Sequence, residues 1–405
     1  LMFVFNLCIF GAGAGAGIFT AQFYGCQDYK SIRYTFRFKI LIGLVLTALG
    51  GALFYFFGSP LIQLYLSDTN DPADVAQTLE YGLSYMKVML WGLLPFALSN
   101  AYSGTLRETG QATVPMIAGI AAVLINLLLN YVLIFGHFGA PELGVKGAAI
   151  ATVISRYVEL AIVVIWTHLN PQKNPFIPGT YHSMHIPGKL LKQILLRGMP
   201  LMLNEFFWSA GNATLNQCFS LRGLDVVAAT NITSTLFNLT SVVMLSMGVV
   251  VGISTGQLLG AGESEKTVRD AYWKNTILSV AACILIAIFM ACISGLFPKL
   301  YNTTDHVRSI ATSLICFCAL SMPFTAFVHT VYFALRSGGR AILTFLFDTC
   351  FMWVCVVPLA FCLSRFTDMP IVPLYALCLS TDLLKCVIGY FIIRSKSWIR
   401  NLTHL

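Results

Sequence analysis

The sequence predicts an all-α polytopic membrane protein built from two pseudo-symmetric helical bundles. Three observations support this: a very apolar composition, eleven apolar segments long enough to cross a bilayer, and an internal repeat. Of the 405 residues, 57% are hydrophobic and only 10% are charged. Soluble domains carry about 25% charged residues. The composition therefore excludes a soluble enzyme, and its low polarity also excludes a disordered chain.

The apolar segments are continuous, and each approaches the length of about 20 residues that a membrane helix needs. Several contain proline or glycine, which membrane helices tolerate better than soluble ones do. The twelve cysteines fall mostly inside these segments, so we expect small buried side chains rather than disulfides or a metal site. The segments run over 1–24, 38–58, 82–104, 114–136, 146–168, 194–219, 226–260, 273–298, 309–335, 341–363 and 371–393.

The distribution of basic residues predicts the orientation. When successive loops are assigned to alternate sides of the membrane, seventeen Lys and Arg residues fall on one side and five on the other. The positive-inside rule makes the richer side cytoplasmic, which places the C-terminus in the cytoplasm. Eleven spans would then place residue 1 outside. We expect one further helix before Leu1, giving twelve in all.

Two motifs recur at similar spacing. G-I-F-T-A-Q-F-Y-G at 17–25 matches G-I-S-T-G-Q-L-L-G at 252–260, and L-R-E-T-G-Q-A at 106–112 matches L-R-S-G-G-R-A at 335–341. Both copies lead into loops on the same side, as in transporters with parallel repeats. We therefore predict an N-terminal bundle over 1–172 without its first helix, a cytoplasmic linker over 173–192, and a six-helix C-terminal bundle over 193–405.

Taken together, the motifs resemble the multidrug and toxic compound extrusion (MATE) family. They comprise the two repeats, N-L-L-L-N at 126–130, P-E-L-G-V-K-G at 141–147 and G-M-P at 198–200. The resemblance implies two six-helix lobes around a cavity that opens to alternate sides. It also implies export of drugs or organic cations, driven by sodium or proton entry and without a cofactor.

Glu205 is the best candidate for the ion-coupling residue. A charge at the bilayer centre costs at least ~2.5–3.5 kcal/mol, so an intramembrane acid marks a functional site by default. Glu205 follows Asn204 about two turns into its span, with no basic residue within four positions. We expect it to bind a cation or a proton; the alternative is a permanently protonated, hydrogen-bonded side chain.

The resemblance adds further candidates. The family's second-lobe site uses an Asp in the tenth helix that 324–332 lacks, so we expect Asp348, one span later, to supply the second carboxylate. In the first lobe, Asn126 and Asn130 share a helix face, and Asn100 and Thr152 match other polar positions of the family. These side chains could equally serve helix packing. The expected substrate-cavity residues are His329, Tyr332, Trp208 and Asn212.

Two opposite-charge pairs lie inside apolar spans, Arg156 with Glu159 and Asp382 with Lys385. Because each pair is three residues apart on a helix, we expect local neutralisation in both. We expect a monomeric multidrug antiporter of the plasma membrane that binds no nucleic acid and is not an enzyme. A lipid-linked saccharide flippase is the alternative, and it would need a more basic cavity.

Overall fold

The computed structural model describes residues 2–63, 72–395 and 398–403. Within these ranges the chain forms eleven long helices and no β-strand, and each predicted apolar segment corresponds to one helix. The predicted all-α fold is therefore confirmed. The helices are α1 (Met2–Gly25), α2 (Tyr29–Gln63), α3 (Pro72–Met89 and Leu93–Glu108, joined by the 3-10 turn Leu90–Gly92), α4 (Thr113–Phe135), α5 (Gly144–Leu169), α6 (Gly188–Ser220), α7 (Leu224–Gly260), α8 (Glu265–Ile293), α9 (Asp305–Ser337), α10 (Ala341–Phe366) and α11 (Ile371–Arg394).

Nine of these helices are long and apolar enough to cross a membrane by length and composition alone. The other two are α3 and α6. Helix α3 is interrupted by its 3-10 turn, and α6 opens with a polar, basic turn that contains Lys189 and Lys192.

Several helices begin well before the apolar segments that predict them, because polar residues cap their first turns. The Ser264 hydroxyl accepts the amide of Thr267 at 3.2 Å and starts α8 eight or so residues ahead of the predicted span. Before α2, the Asp28 carboxylate accepts the amide of Ser31 at 3.0 Å in the same way. Apolar patterning therefore finds the membrane segment, whereas the caps set the helix ends.

The chain divides into two compact units, Leu1–Met202 and Leu203–Leu405, here called the N-unit and the C-unit. The division falls inside α6. The bundle limits expected near residues 172 and 193 stay a prediction. Each unit has its own apolar core: Phe5, Ile9 and Phe54 belong to one core of the N-unit, whereas Leu314 and Leu374 belong to one of the C-unit.

The first repeat ends in the same backbone turn in both units. Gln27 after α1 and Gly262 after α7 both adopt the left-handed conformation, with φ of 59° and 72°. The next amide then donates to the carbonyl oxygen five residues earlier, at 2.9 Å from Asp28 and 3.2 Å from Glu263. This is the hydrogen bond that closes a Schellman cap.

The second repeat ends in a matching turn. Gly110 after α3 and Gly339 after α9 have φ of 81° and 68°. The amides of Gln111 and Arg340 donate to carbonyl oxygens five residues earlier, at 2.7 and 3.2 Å. Both repeats read from the sequence are therefore present as repeated local structure, one copy in each unit.

The two repeat motifs also touch one another inside each unit. In the N-unit, a Cβ atom on Gly17 would lie 2.4 Å from the Glu108 carboxylate, so a larger residue there would push the Glu108 side chain aside. In the C-unit, the Ser337 hydroxyl donates to the carbonyl of Gly252 at 2.6 Å. In both units, the glycine that begins the first motif therefore lies against a residue of the second motif.

The segment between α5 and α6, predicted to be a linker, packs against the N-unit. Arg37 of α2 is buried, and its guanidinium donates to the carbonyl oxygens of Thr180, Gly179 and His185 at 2.8, 2.9 and 3.0 Å. Arg37 was counted above as a loop residue, but it lies in a helix and fixes the conformation of this segment.

Candidate ion-coupling site

Helix α6 brings Asn204 and Glu205 into the interior of the C-unit. Asn204 is buried and Glu205 is half-buried. The hydroxyl of Tyr332, on α9, donates to Glu205 Oε1 at 3.1 Å and accepts from the Asn204 amide at 3.4 Å. Two residues predicted for different roles, ion coupling and substrate contact, are therefore joined in one hydrogen-bonded group.

Asp348 of α10 joins the same group from the other side. Its Oδ2 accepts from the Asn204 amide at 3.1 Å, and its Oδ1 accepts from the Lys385 ammonium at 2.9 Å. The hydroxyl of the neighbouring Thr349 donates to Asn204 Oδ1 at 2.7 Å. Every polar atom of the Asn204 side chain is thus engaged, which fixes its amide between the two acids.

Helix α10 is widened where it carries these residues. Asp348 and Thr349 lie in the π-helical stretch Leu346–Cys350, and a second such stretch, Met352–Val356, follows. Pro358 comes directly after it and cannot donate to the carbonyl of Val354, which leaves the preceding turns free to open. Wide turns of this kind occur frequently at functional sites.

Lys385 does not form a direct ion pair with Asp382, although it acts on that carboxyl group electrostatically. The ion pair that Lys385 forms within 4 Å joins it to Asp348 on α10, and Asp382 instead accepts the hydroxyl of Thr325 at 2.8 Å. Each acid is satisfied across helices because both side chains face a neighbouring helix inside the unit. Asp382 therefore stays without a close basic partner among the described ion pairs.

Arg156 and Glu159 interact electrostatically but are not among the direct ion pairs of the described residues. The Arg156 guanidinium donates to the carbonyl of Gly92 at 3.0 Å and lies 4.7 Å from the ring centre of Phe96. Gly92 ends the 3-10 turn of α3, so Arg156 of α5 bonds to the backbone at the point where that helix is interrupted.

The remaining predicted cavity residues differ in placement. His329 is half-buried on α9 and lies within electrostatic range of both Asp348 and Lys385. Trp208 and Asn212 lie farther along α6, where the Asn212 amide donates to the Trp208 carbonyl at 3.0 Å. They extend the polar face of α6 beyond the Glu205 group, whereas His329 is part of it.

In the N-unit, three of the four predicted polar residues meet. The Asn130 amide donates to Asn126 at 3.0 Å, and the Asn126 amide donates to the Thr152 hydroxyl at 3.4 Å. The Oδ1 atom of Asn130 is buried and lacks a hydrogen-bond partner among the described residues. Asn100 instead lines a small cavity beside Gly13 of α1, so it is not part of this chain of bonds.

Several polar residues of these groups were missed from the sequence. Thr325 and Thr349 gave no signal, because threonine is ordinary in membrane helices. In the N-unit, Lys39 forms a buried ion pair with Glu108, whose side chains are 3% and 14% exposed. From the sequence, Lys39 counted only as one of the cytoplasmic basic residues. A charge ten residues into a helix could have indicated burial.

The net charge of the polar group in the C-unit indicates which ions it can bind. Three carboxyl groups, Glu205, Asp348 and Asp382, lie there with two bases, Lys385 and Arg336; the latter acts electrostatically on Glu205. With His329 neutral, one negative charge is left over. A buried group with one excess negative charge favours binding of one proton or one monovalent cation.

Comparison with known proteins agrees with this architecture. A family model described as MatE matches residues 1–132 and 200–362. The probable multidrug resistance protein YoeA of Bacillus subtilis (strain 168) is 26% identical over 380 residues, which cover 92% of this chain and 78% of YoeA. The probable multidrug resistance protein NorM of Thermotoga maritima is 24% identical over 377 residues, covering 91% of this chain and 77% of NorM.

The fold matches solved structures as well. The outward-facing structure of a multidrug resistance MATE family transporter of the MOP superfamily superposes with a TM-score of 0.84 at 18% identity, covering 96% of this chain and 84% of that one. The family model spans most of the sequence, and the resemblance noted from its motifs is confirmed. The chain belongs to the MatE family of membrane transporters and is not an enzyme.

Proposed function

We propose that this transporter exports drugs or organic cations by antiport, and that Glu205 carries the coupling ion, sodium or a proton. The observation that carries the proposal is the surplus negative charge around Glu205. A bound proton or cation neutralises it, and release of that ion restores it. The hydrogen bond from Tyr332 gives Glu205 a fixed orientation and leaves Oε2 without a hydrogen-bond partner among the described residues.

Substrate class follows from the relatives. YoeA and NorM are both named as probable multidrug resistance proteins. The flippase alternative would need free basic side chains at mid-span, but Lys385 is held by Asp348 and Arg156 by the Gly92 carbonyl. We further propose a monomer in the plasma membrane with its C-terminus in the cytoplasm, as the basic loops predict.

The test is transport by the complete protein in proteoliposomes. Ethidium is the probe, and an inward cation gradient of both sodium and protons supplies the driving force. We expect Glu205→Gln to reduce gradient-driven export at least about tenfold, because the amide cannot exchange an ion. Glu159→Gln, which removes an intramembrane acid of α5 in the N-unit, should retain export. Equal export by Glu205→Gln and the unaltered protein would refute the proposal.

A further inference from the structure

The Lys385 ammonium lies in a cage formed by three side chains of α10. Its Nζ is 2.9 Å from Asp348 Oδ1 and 5.6 Å from the ring centres of both Phe347 and Phe351. A carboxylate beside aromatic faces is an arrangement that binds ammonium ions. The Lys385 and Asp348 side chains are only 10% and 15% exposed. The C-unit thus contains a cation-binding cage whose occupant is one of the protein's own side chains.

The other polar atoms beside this cage are arranged for hydrogen bonding. The second oxygen of Asp348 accepts the Asn204 amide, and the Asn204 oxygen accepts the Thr349 hydroxyl. A metal cation such as sodium is held by several oxygen lone pairs directed at one point. Here each of these oxygens already accepts a hydrogen bond, and the Lys385 ammonium holds the position beside Asp348 Oδ1. A metal cation at that position would have to displace Lys385.

The charged groups around Lys385 and its partner Asp348 come from four helices. Asp348 on α10, His329 on α9 and Asp382 on α11 interact with Lys385 itself. Glu205 on α6 interacts with Asp348, and Arg336 on α9 interacts with Glu205. Lys385 offsets Asp348, and Arg336 acts on Glu205. The single uncompensated negative charge is then shared by Glu205 and Asp382, where one proton suffices to neutralise it.

We propose that Lys385 is a built-in cation that fills the place a metal cation would take beside Asp348, so that the coupling ion of this transporter is a proton and not sodium. This inference rests on the proposed cation-coupled antiport and specifies its ion. It makes Lys385 a specificity-determining residue. Removing its charge while keeping its length should open the cage to an external monovalent cation.

The first test separates the two driving ions for the unaltered protein in proteoliposomes. Ethidium export is measured under a pH gradient at equal sodium, and under a sodium gradient at equal pH. We expect the pH gradient to drive export at least about tenfold faster. Export driven equally well by sodium alone would overturn this inference and leave the antiport standing. Export under neither gradient would refute the antiport itself, and the inference with it.

The second test uses Lys385→Met, with Lys39→Met as its matched control. Lys39 is the other lysine in a buried ion pair, with Glu108 in the N-unit, and its Nζ also donates to Thr105 at 3.1 Å. We expect Lys385→Met to shift the ratio of sodium-driven to proton-driven export at least about tenfold toward sodium. Lys39→Met should keep the ratio of the unaltered protein, whatever its rate. An unchanged ratio in Lys385→Met would overturn the inference.

A third measurement does not need transport. Lys385→Ala empties the cage, and methylammonium is a free equivalent of the missing ammonium group. We expect methylammonium chloride to raise the thermal unfolding temperature of purified Lys385→Ala in a concentration-dependent way, because ligand binding stabilises the folded state. The same salt should leave the unaltered protein unchanged. No shift in Lys385→Ala would overturn the assignment of the cage.

Discussion

The hydroxyl of Tyr332 holds the Glu205 and Asp348 sides of the site together. It donates to one acid and accepts from the amide that bonds the other. A tyrosine hydroxyl can do both at once because it carries one donor and two acceptor lone pairs. The position of the proton in this group therefore depends on whether Glu205 is ionised.

Replacing Tyr332 with Phe removes this hydroxyl and keeps the ring. We expect a loss of about 1 kcal/mol in the free energy of unfolding, the usual value for one hydrogen bond, and slower gradient-driven export. Tyr375→Phe is the control, since its hydroxyl contacts Cys318 Sγ at 3.1 Å elsewhere in the C-unit. It should cost similar stability without slowing export. Thermal unfolding and ethidium export measure both; equal export rates would contradict the role given to Tyr332.

The ion pair of Asp348 and Lys385 makes a separate prediction about stability. Asp348→Asn leaves the buried ammonium without its counter-charge, which typically costs about 3–5 kcal/mol. The double variant Asp348→Asn, Lys385→Met removes both charges and should recover much of that loss. Chemical or thermal unfolding in detergent gives the comparison. If the double variant is no more stable than the single one, the pair does not act as a buried ionic unit.

At this scale the sequence predicts which acidic side chains lie together better than it predicts their partners. Charge inside an apolar span pointed to Glu205 and the family resemblance to Asp348, and the Asn204 amide lies between them in the structure. The rule that residues three apart interact gave Asp382 to Lys385, but the long lysine side chain reaches α10 instead. The rule for residues three apart applies to an isolated helix. A buried charge can pair with a group on any helix packed around it, and that packing cannot be read from one segment of the sequence.

Among the elements, α1 shows how small side chains set helix separation. Its run of alternating glycine and alanine at 11–17 predicts close helix packing. In the N-unit a Cβ atom on Gly15 would lie 2.5 Å from the Cα of Gly198, within the N-terminal half of α6. The two backbones therefore touch at a point where neither helix has a side chain.

Gly15→Ala should destabilise the protein, because the added methyl group meets backbone that cannot rotate away. Overpacking of this kind costs about 1–3 kcal/mol. Gly119→Ala in α4 is the matched control: it is also a helical glycine, but nothing lies within 4 Å of an added Cβ atom there. It should be neutral or slightly stabilising, since alanine is the better helix former. Unfolding temperatures that rank the other way would refute the close contact.

The sequence predicts how many long helices form, but it does not predict where they begin or where their turns widen. All eleven apolar segments became helices, since twenty apolar residues have few other structures in a membrane. The predicted starts of α2, α6 and α8 are too late because their first turns are polar. Asp28 and Ser264 also cap the starts of α2 and α8. The wide turns of α10 around Asp348 were not foreseen, although Pro358 gave a signal for them.

For the whole molecule, the repeat relates the two units but their chemistry differs. Both contain the same pair of capped helix ends and the same contact between them. The C-unit has an excess negative charge beside Glu205, whereas the N-unit has the balanced pair of Lys39 and Glu108 and a chain of uncharged amides. The repeat could be recognised in the sequence because these turns need particular residues. The difference in charge between the two units could not be predicted from the sequence.

Orientation in the membrane gives a prediction for the complete protein. Cys26 is exposed in the loop after α1, on the side that the basic residues make cytoplasmic. A membrane-impermeant maleimide should label it in inside-out vesicles and not in intact cells. The Cys26→Ser variant is the control: the labelling that it loses is the labelling of Cys26. Labelling of Cys26 in intact cells would reverse the proposed topology.

The turn after α1 has one further consequence. Gln27 occupies the left-handed conformation that its counterpart Gly262 adopts without a steric penalty; for a residue with a side chain that conformation costs roughly 1–2 kcal/mol. The two units therefore share one backbone turn although only the C-unit has glycine at this position. The N-unit carries the conformational cost of that turn at Gln27, and a glycine there would remove it.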